Sequence, residues 1–398
     1  MRGWLLRLAL VCAVLGSGSA PAQERLYAPP VYGIGSSRQL SLGGAFVAVA
    51  DGGAFTANHA SFAQPSPWVG TDFDAFFTLQ LAQTVGGQDL DNDAAVDRDG
   101  ARQLLFGAGL RWKRFGFGLY ARNAAVCLGA ACREGGPVDA QFTQGGISAA
   151  LSFMDGQLVG AVGLHGTSAT LRPHVGTWGG GGLGLDLLWR PRGEPFRMGA
   201  TFRPLSLALP EPPRLDGPLP PGTPPRPSRV AFPATLSVGV AAKLDKGREG
   251  MNVPRERDDD PTATVHAHKL AEDIFRHRRE VPPGRLLATA QLDLVFPVND
   301  AVGLHHFMAE GTDPVPMGRD LLVTPRFGLE HVTVPGRLRL RGGTYVEPSA
   351  VRGVAPRLHA TGGFDLFLFH FVFDWGLTGS LDVAPRVRQG SLSFGVWG

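Results

Sequence analysis

From residue 71 to the last residue, apolar and polar side chains alternate, and the ionised ones keep to one parity. In 71–84, Phe73, Ala75, Phe77, Leu79 and Leu81 fall on one face, and Asp72, Asp74, Thr78 and Gln80 on the other. The same split recurs at 101–113, 115–126, 141–154, 157–171, 183–190, 196–203, 234–243, 286–296, 324–332, 338–347, 359–368, 370–382 and 388–398. Successive side chains of a strand point to opposite faces. Arg111, Lys113, Arg122, Asp186, Arg190, Arg197, Arg203, Lys243, Asp293, Arg326, Glu330, Arg339, Arg341, Asp365, Asp374 and Asp382 therefore all lie opposite the apolar face, while Arg102 and Asp155 sit at strand ends. A charge facing lipid at mid-membrane costs ~2–4 kcal/mol, so a bilayer enforces this segregation. A soluble sandwich also alternates, but it does not need so many strands of this length. The pattern predicts an all-β fold: a transmembrane antiparallel β-barrel of about fourteen strands, an even number as single-chain bacterial barrels have.

The connections support that reading. Short turns are expected near Arg114, at Asp155-Gly156 (a two-residue hairpin signal), at 191–195, at Pro335-Gly336 and at Phe369. They alternate with long loops at 85–100, 123–140, 172–178, 204–231 and 297–323, the last but one rich in proline. The long loops should face outside the cell. The connection 244–285 is long but falls on the short-turn side. It reads as a periplasmic insertion, with a miscounted strand as the competing explanation.

The first 22 residues have the makings of an export signal. Arg2 and Arg7 precede an apolar run, and Ala20-Pro21-Ala22 offers a small-x-small cleavage site before Gln23. Cleavage would leave 36 basic against 35 acidic residues, a balance that gives no hint of nucleic acid as partner. It would also leave two cysteines, Cys127 and Cys132, and an oxidising compartment favours a disulfide between them that staples a loop. No later run of eighteen apolar residues exists, so a helical membrane protein is excluded.

Before the strands lies 33–64, rich in Gly, Ala and Ser, with Arg38 and Asp51 as its only charges. Gly43-Gly44 permits positive φ or close backbone approach, which suits a segment packed inside something else. The pattern Arg38, then Gly43-Gly44-Ala45-Phe46-Val47-Ala48-Val49-Ala50-Asp51, then Asn58-His59-Ala60, resembles the N-terminal segment of outer-membrane transport proteins of the long-chain fatty acid (FadL/TodX) type and their PorV-type relatives. Later stretches are similar to that family in the same order: 184–191 with 198–203, 233–240, 327–330 and 340–343 with Glu347-Pro348. The family has Asn-Pro-Ala where this chain has Asn58-His59-Ala60, and His does not fix φ as Pro does.

The resemblance implies a hatch, residues 23–70, folded inside a barrel of residues 71–398. Arg38, Gly43, Gly44, Asp51, Asn58, His59 and Ala60 would be its gating residues. Arg38 and Asp51 would pair with each other or with lumen charges such as Arg341 and Asp293, or be solvated. The implied function is passive uptake of hydrophobic small molecules, long-chain fatty acids or similar, across the outer membrane. The implied partners are the ligand, outer-membrane lipid and lipopolysaccharide, and the barrel-assembly machinery, with the chain a monomer. A PorV-like scaffold for a secretion or surface complex is the other reading, motivated by 244–285 and the proline-rich loop. The last residues are Trp397-Gly398, where assembly signals of such proteins end in an aromatic.

Other chemistry is poorly supported. Asp89, Asp91, Asp93, Asp97 and Asp99 resemble a calcium loop, but Ala94 and Gly100 stand where Gly and Glu are required. His266, His268, His277, His305 and His306 lack zinc spacing. Gly179 to Gly182 reads as a loop tip or the start of a strand, and no nucleophile elbow occurs. No cofactor, metal or enzymatic activity is expected.

Overall fold

The computed structural model describes residues 25–28, 35–50, 56–64, 73–84, 89, 92, 100–127, 139–172, 176–210, 225–245, 251–252, 286–308, 313–371 and 373–396. Residues 1–22, Asp51, Cys132, the acidic run 93–99, the proline-rich run 211–224, most of the insertion and Trp397-Gly398 lie outside them.

In chain order the strands are β1 (Arg25–Tyr27), β2 (Phe73–Thr84), β3 (Gly100–Trp112), β4 (Phe115–Cys127), β5 (Ala140–Phe153), β6 (Leu158–Leu171), β7 (Gly176–Trp189), β8 (Phe196–Arg203), β9 (Ser206–Pro210), β10 (Arg229–Phe232), β11 (Thr235–Lys243), β12 (Leu286–Val295), β13 (Ala301–Val302), β14 (Pro316–Met317), β15 (Leu322–Val334), β16 (Leu338–Glu347), β17 (Arg357–Phe371), β18 (Phe373–Ala384) and β19 (Val387–Val396). A short helix, α1 (Ser37–Ser41), lies between β1 and β2.

Strands β2 to β8, β11, β12 and β15 to β19 form a closed antiparallel barrel of 14 strands. Each pairs with the next, and the ring closes where β19 meets β2, from Gln389↔Thr84 to Gly395↔Thr78. Closure removes the free edges that would leave backbone groups unpaired in lipid. Burial is inverted relative to a soluble protein. Ile147, Leu164, Leu185 and Leu329 are exposed on the outside, whereas Gln80, Arg111, Asp186, Glu330, Arg341, Asp365 and Asp382 are buried within.

Among the described residues, the strand count leaves 244–285 at the end with the short turns. Several boundaries move. The last hairpin turns between Phe371 and Phe373, with a bulge between Phe367 and Phe369, rather than at Phe369 itself. Asp155-Gly156 is part of a four-residue connection between Phe153 and Leu158, not a two-residue one. Met154, Asp155 and Gly156 all have positive φ there, a conformation only Gly adopts freely. Gly179 to Gly182 belong to β7, not to a loop tip.

The five remaining strands form a second sheet across the end with the longer connections. β9 pairs antiparallel with β10, β10 and β13 flank β1 in parallel, and β13 pairs with β14. β9 meets the wall at β7, through Trp178↔Pro210 and Gly179↔Leu209. Met317 of β14 bridges to Val351, in the β16–β17 connection across the mouth. One face of this sheet packs Leu26, Val230, Ala208 and Val302 against Val126, Phe142, Leu171 and Trp178 of the inner wall.

Candidate functional site

Residues 35–50 and 56–64 pack against the inner faces of the wall strands. α1 begins at Ser36, whose hydroxyl accepts from the Gln39 amide and caps the helix. The helix ends at Gly43 and Gly44, with φ of 65° and 79°. A side chain at Gly43 would also strike the wall, since a Cβ there would lie 2.7 Å from the Phe327 carbonyl. The wall answers with glycines of its own: a Cβ at Gly328 or Gly343 would lie 2.6 Å from the Leu42 carbonyl or 2.4 Å from the Gly43 nitrogen. Backbone meets backbone here, which is why both surfaces lack side chains.

Such contact buries peptide groups, and they are hydrogen-bonded. The Phe46 and Val47 amides both donate to Gln291 Oε1 at 2.9 Å. Thr289 Oγ1 donates to the Ala45 carbonyl at 2.7 Å, and the Gly43 amide donates to Thr361 Oγ1 at 3.0 Å. Arg197 Nη1 donates to the Val49 carbonyl at 3.2 Å and Nη2 to the Met251 carbonyl at 2.6 Å, tying the start of the insertion to the inner segment.

Two charged clusters add to this. Arg38 donates to Glu330 Oε2 from Nη2 at 3.1 Å. Arg341 Nε donates to the same oxygen at 2.6 Å, and its Nη1 to Asp365 Oδ1 at 2.7 Å. Arg38 thus pairs with Glu330, beside Arg341 rather than with Asp293; Asp293 pairs instead with Arg326. In the second cluster Asn58 Nδ2 donates to the carbonyls of Val47, at 2.8 Å, and Leu187, at 3.1 Å, while its Oδ1 accepts from the Ala60 amide at 2.9 Å. His59 Nδ1 lies 2.9 Å from Asp186 Oδ2, and Arg203 Nη2 donates to Asp186 Oδ1 at 2.8 Å. The His59 ring lies between Phe62 and Tyr120, at centroid distances of 5.9 and 5.7 Å. His59 therefore replaces a backbone constraint with a side-chain tie to the wall.

Above the inner segment is a cavity of about 370 Å³. Leu40 and Val47 lie at its floor and Tyr27 and Ala28 of the cross-mouth sheet at its other end; Tyr120 and Phe142 form an apolar side. The opposite side is polar. His359 sits between Asp382 (Nδ1 to Oδ1, 2.9 Å) and Glu347 (Nε2 to Oε2, 2.8 Å), and stacks on Tyr345 at 4.1 Å. Tyr345 donates to Asp382 Oδ2 at 2.7 Å. Burial raises the pKa of the Tyr27 hydroxyl, which has no hydrogen-bond partner.

Among the described residues, the ladder of the wall is interrupted beside this cavity. β7 pairs with β8 only from Leu185 to Trp189 and with β9 only at Trp178 and Gly179. Between β8 and β9 comes Pro204, which has no amide hydrogen to give. Side chains reach carbonyls at the break: Ser206 Oγ donates to Gly181 at 3.2 Å, and at its edge Arg203 Nη1 donates to Leu185 at 3.5 Å. A recess of about 900 Å³ lies there, lined by lipid-side Leu119, Ile147, Leu164 and Leu183 together with lumen-side Tyr120 and His165. Tyr120, His165 and Pro204 line both the recess and the inner cavity. The glycine run in β7 and Pro204 are the sequence signals for this break.

Cys127 is disulfide-bonded. Asp89 of the acidic loop pairs with Arg357 at 3.7 Å, and among the described residues no His, Cys, Asp and Glu group is placed to hold a metal ion.

No protein-family model and no curated protein matches the chain. Solved structures do. The toluene transporter TodX of Pseudomonas putida matches with TM-score 0.52 and 12% identity, over 94% of this chain and 97% of that one. The TodX deltaS2S3 mutant monoaromatic hydrocarbon channel matches with TM-score 0.51 and 12% identity, over 90% and 96%. A Pseudomonas aeruginosa FadL homologue matches with TM-score 0.48 and 12% identity, over 89% and 94%. The chain has the fold of the FadL/TodX-type outer-membrane transport barrels.

Proposed function

We propose that this protein is an outer-membrane barrel for passive uptake of hydrophobic small molecules, with residues 23–70 as a hatch. The end with the longer connections faces outside. Cargo occupies the cavity between the cross-mouth sheet and the inner segment, and leaves through the break between β7 and β8–β9. The observation that carries this reading is the shared lining of cavity and wall recess by Tyr120, His165 and Pro204. A lumen that touches lipid at mid-wall serves a solute that partitions into membranes; a water-soluble solute would need an axial pore, which the inner segment occupies. Gly43, Gly44 and the Asn58-His59-Ala60 turn seat the hatch, and Arg38 ties it to the wall. The TodX structures, described as a toluene transporter and a monoaromatic hydrocarbon channel, share the fold and support this class of cargo.

The test is uptake of radiolabelled oleate and of toluene by cells that depend on this barrel. Gly166 lines the recess, and a Cβ there meets only the Gly180 carbonyl at 3.9 Å, so a side chain is accommodated. Gly166→Trp should leave a folded, heat-modifiable barrel and cut uptake of whichever probe the parent carries by roughly tenfold, the equivalent of about 1.4 kcal/mol. Uptake of neither probe by the parent, or unchanged uptake by a folded Gly166→Trp barrel, would end this reading.

A further inference from the structure

The segregation of charge on the wall has two exceptions, and they stand together. Among the described side chains of the wall strands, every Asp, Glu, Lys and Arg has the lumen parity except Arg102 of β3 and Arg388 of β19. Arg102 shares the outward face of β3 with Leu104 and Leu110, and Arg388 that of β19 with Leu392 and Phe394. Both arginines are exposed, and both lie at the end of the barrel with the longer connections. β3 and β19 are the two neighbours of β2. Two charges placed at random around the ring have little chance of flanking one strand at one rim.

The register fixes their spacing. Arg102 lies opposite Gln83 of β2, and Gln83 lies opposite Gly390 of β19. Arg388 is two residues beyond Gly390 on the same face, towards the mouth. Two strand spacings across and two residues along separate the Cα atoms by about 12 Å. Extended arginine side chains at that spacing can meet on one anionic group or hold two neighbouring ones. Gln83, also outward and exposed, adds an amide between them. Gly390 leaves a notch beside it, since a Cβ there would meet only the Ser380 carbonyl at 4.0 Å. One pleat deeper the face is apolar: Leu104, Leu81 and Leu392 are in register, and below them Phe106, Leu79 and Phe394.

Cations above a ladder of leucines suit a ligand with an anionic head and hydrocarbon tails. Cargo in the lumen cannot be that ligand, because the wall stands between. We infer that Arg102, Gln83 and Arg388 form a lipid-side seat for a phosphorylated, acylated sugar, the lipid A part of lipopolysaccharide. The planar guanidinium forks match phosphate oxygens and pair with them through charge-assisted hydrogen bonds. Gln83 and the notch at Gly390 take the sugar, and the acyl chains lie along the leucine and phenylalanine rows. Two separated cations fit two phosphates on one sugar core better than the single phosphodiester of a glycerophospholipid. The seat straddles the seam where β19 closes on β2, so the bound lipid braces the ring at its joint. This rests on the orientation given above, with the longer connections outside, and not on what the barrel carries.

The experiment is native mass spectrometry of the purified full-length barrel in detergent, with bisphosphorylated lipid A as probe. The parent should retain lipid A as a one-to-one adduct, and absence of that adduct would overturn the inference. Arg102→Gln and Arg388→Gln should each weaken retention about tenfold. Arg352→Gln, which removes an exposed arginine paired with Asp320 at the mouth, should leave retention unchanged. Heat-modifiable migration shows that each variant is a closed barrel. Equal retention by the parent and a closed Arg102→Gln/Arg388→Gln barrel would overturn the inference, as would equal retention of lipid A stripped of its phosphates. Competition separates the sources of phosphate. Neither equimolar phosphatidylglycerol nor equimolar inorganic phosphate should displace lipid A, and displacement by either would overturn the assignment to a glycolipid. Uptake of oleate or toluene plays no part in these readouts, so failure of the uptake reading would leave them standing.

Discussion

Arg341 carries more of the inner charge network than Arg38 does. It bonds both Glu330 and Asp365, whereas Arg38 shares Glu330 with it. Arg341→Ala removes the closest cation from two buried carboxylates, leaving Glu330 with Arg38 and Asp365 with Arg339 at 3.8 Å, and losing one partner of a buried pair costs about 3–5 kcal/mol. Arg38→Ala leaves Glu330 with Arg341 and should cost less. Urea unfolding in detergent should rank the two variants in that order, and equal losses would show that the network is not shared as the geometry implies. The sequence placed Glu330, Arg341 and Asp365 on the lumen face, because strand parity is a local property, and the resemblance placed Arg38 in the inner segment. It did not give their pairing, because Arg38 and Glu330 are 292 residues apart and pairing across a lumen depends on which strands stand opposite. Asn58-His59-Ala60 shows the same limit. The departure from Pro was legible, but the Asp186 partner waiting on β7 was not.

At the scale of elements, the inner segment is held by fit as much as by charge. Gly342 and Gly343 are neighbours on β16 with opposite outlooks. A Cβ at Gly343 would come within 2.4 Å of the Gly43 nitrogen, while one at Gly342 would meet nothing nearer than the Thr361 carbonyl at 3.8 Å. Gly343→Ala should therefore raise amide exchange across 36–50 without altering exchange in the wall, and Gly342→Ala should leave both as they were. Equal protection in the two variants would mean that the segment does not rest on β16. Most wall strands were legible in the sequence to within a few residues, because alternation over ten residues is a strong signal; β7 starts at Gly176 rather than 183, because its glycine run carries no alternation. The small strands β1, β9, β10, β13 and β14 were not, because two to five residues carry no period, and their partners come from distant loops.

For the molecule as a whole, the outer belt makes lipid a structural component. Ile147 is 62% exposed on the outside of β5. Ile147→Arg should destabilise the barrel by about 2–4 kcal/mol in bilayers if it sits near the midplane, and by less near either rim. Tryptophan fluorescence on denaturant unfolding in phospholipid vesicles reads this out. A cost near zero would place β5 outside the hydrocarbon.

The meeting of β19 with β2 has a consequence for the order in which the molecule can be made. The last strand of the polypeptide completes the ring that the first wall strand began, so no enclosure exists until the whole chain has been delivered. The filling of that enclosure comes earlier in the chain than any of its staves. It is therefore at hand while the ring is still open, so that closure of β19 on β2 can hoop it like a cask around its contents.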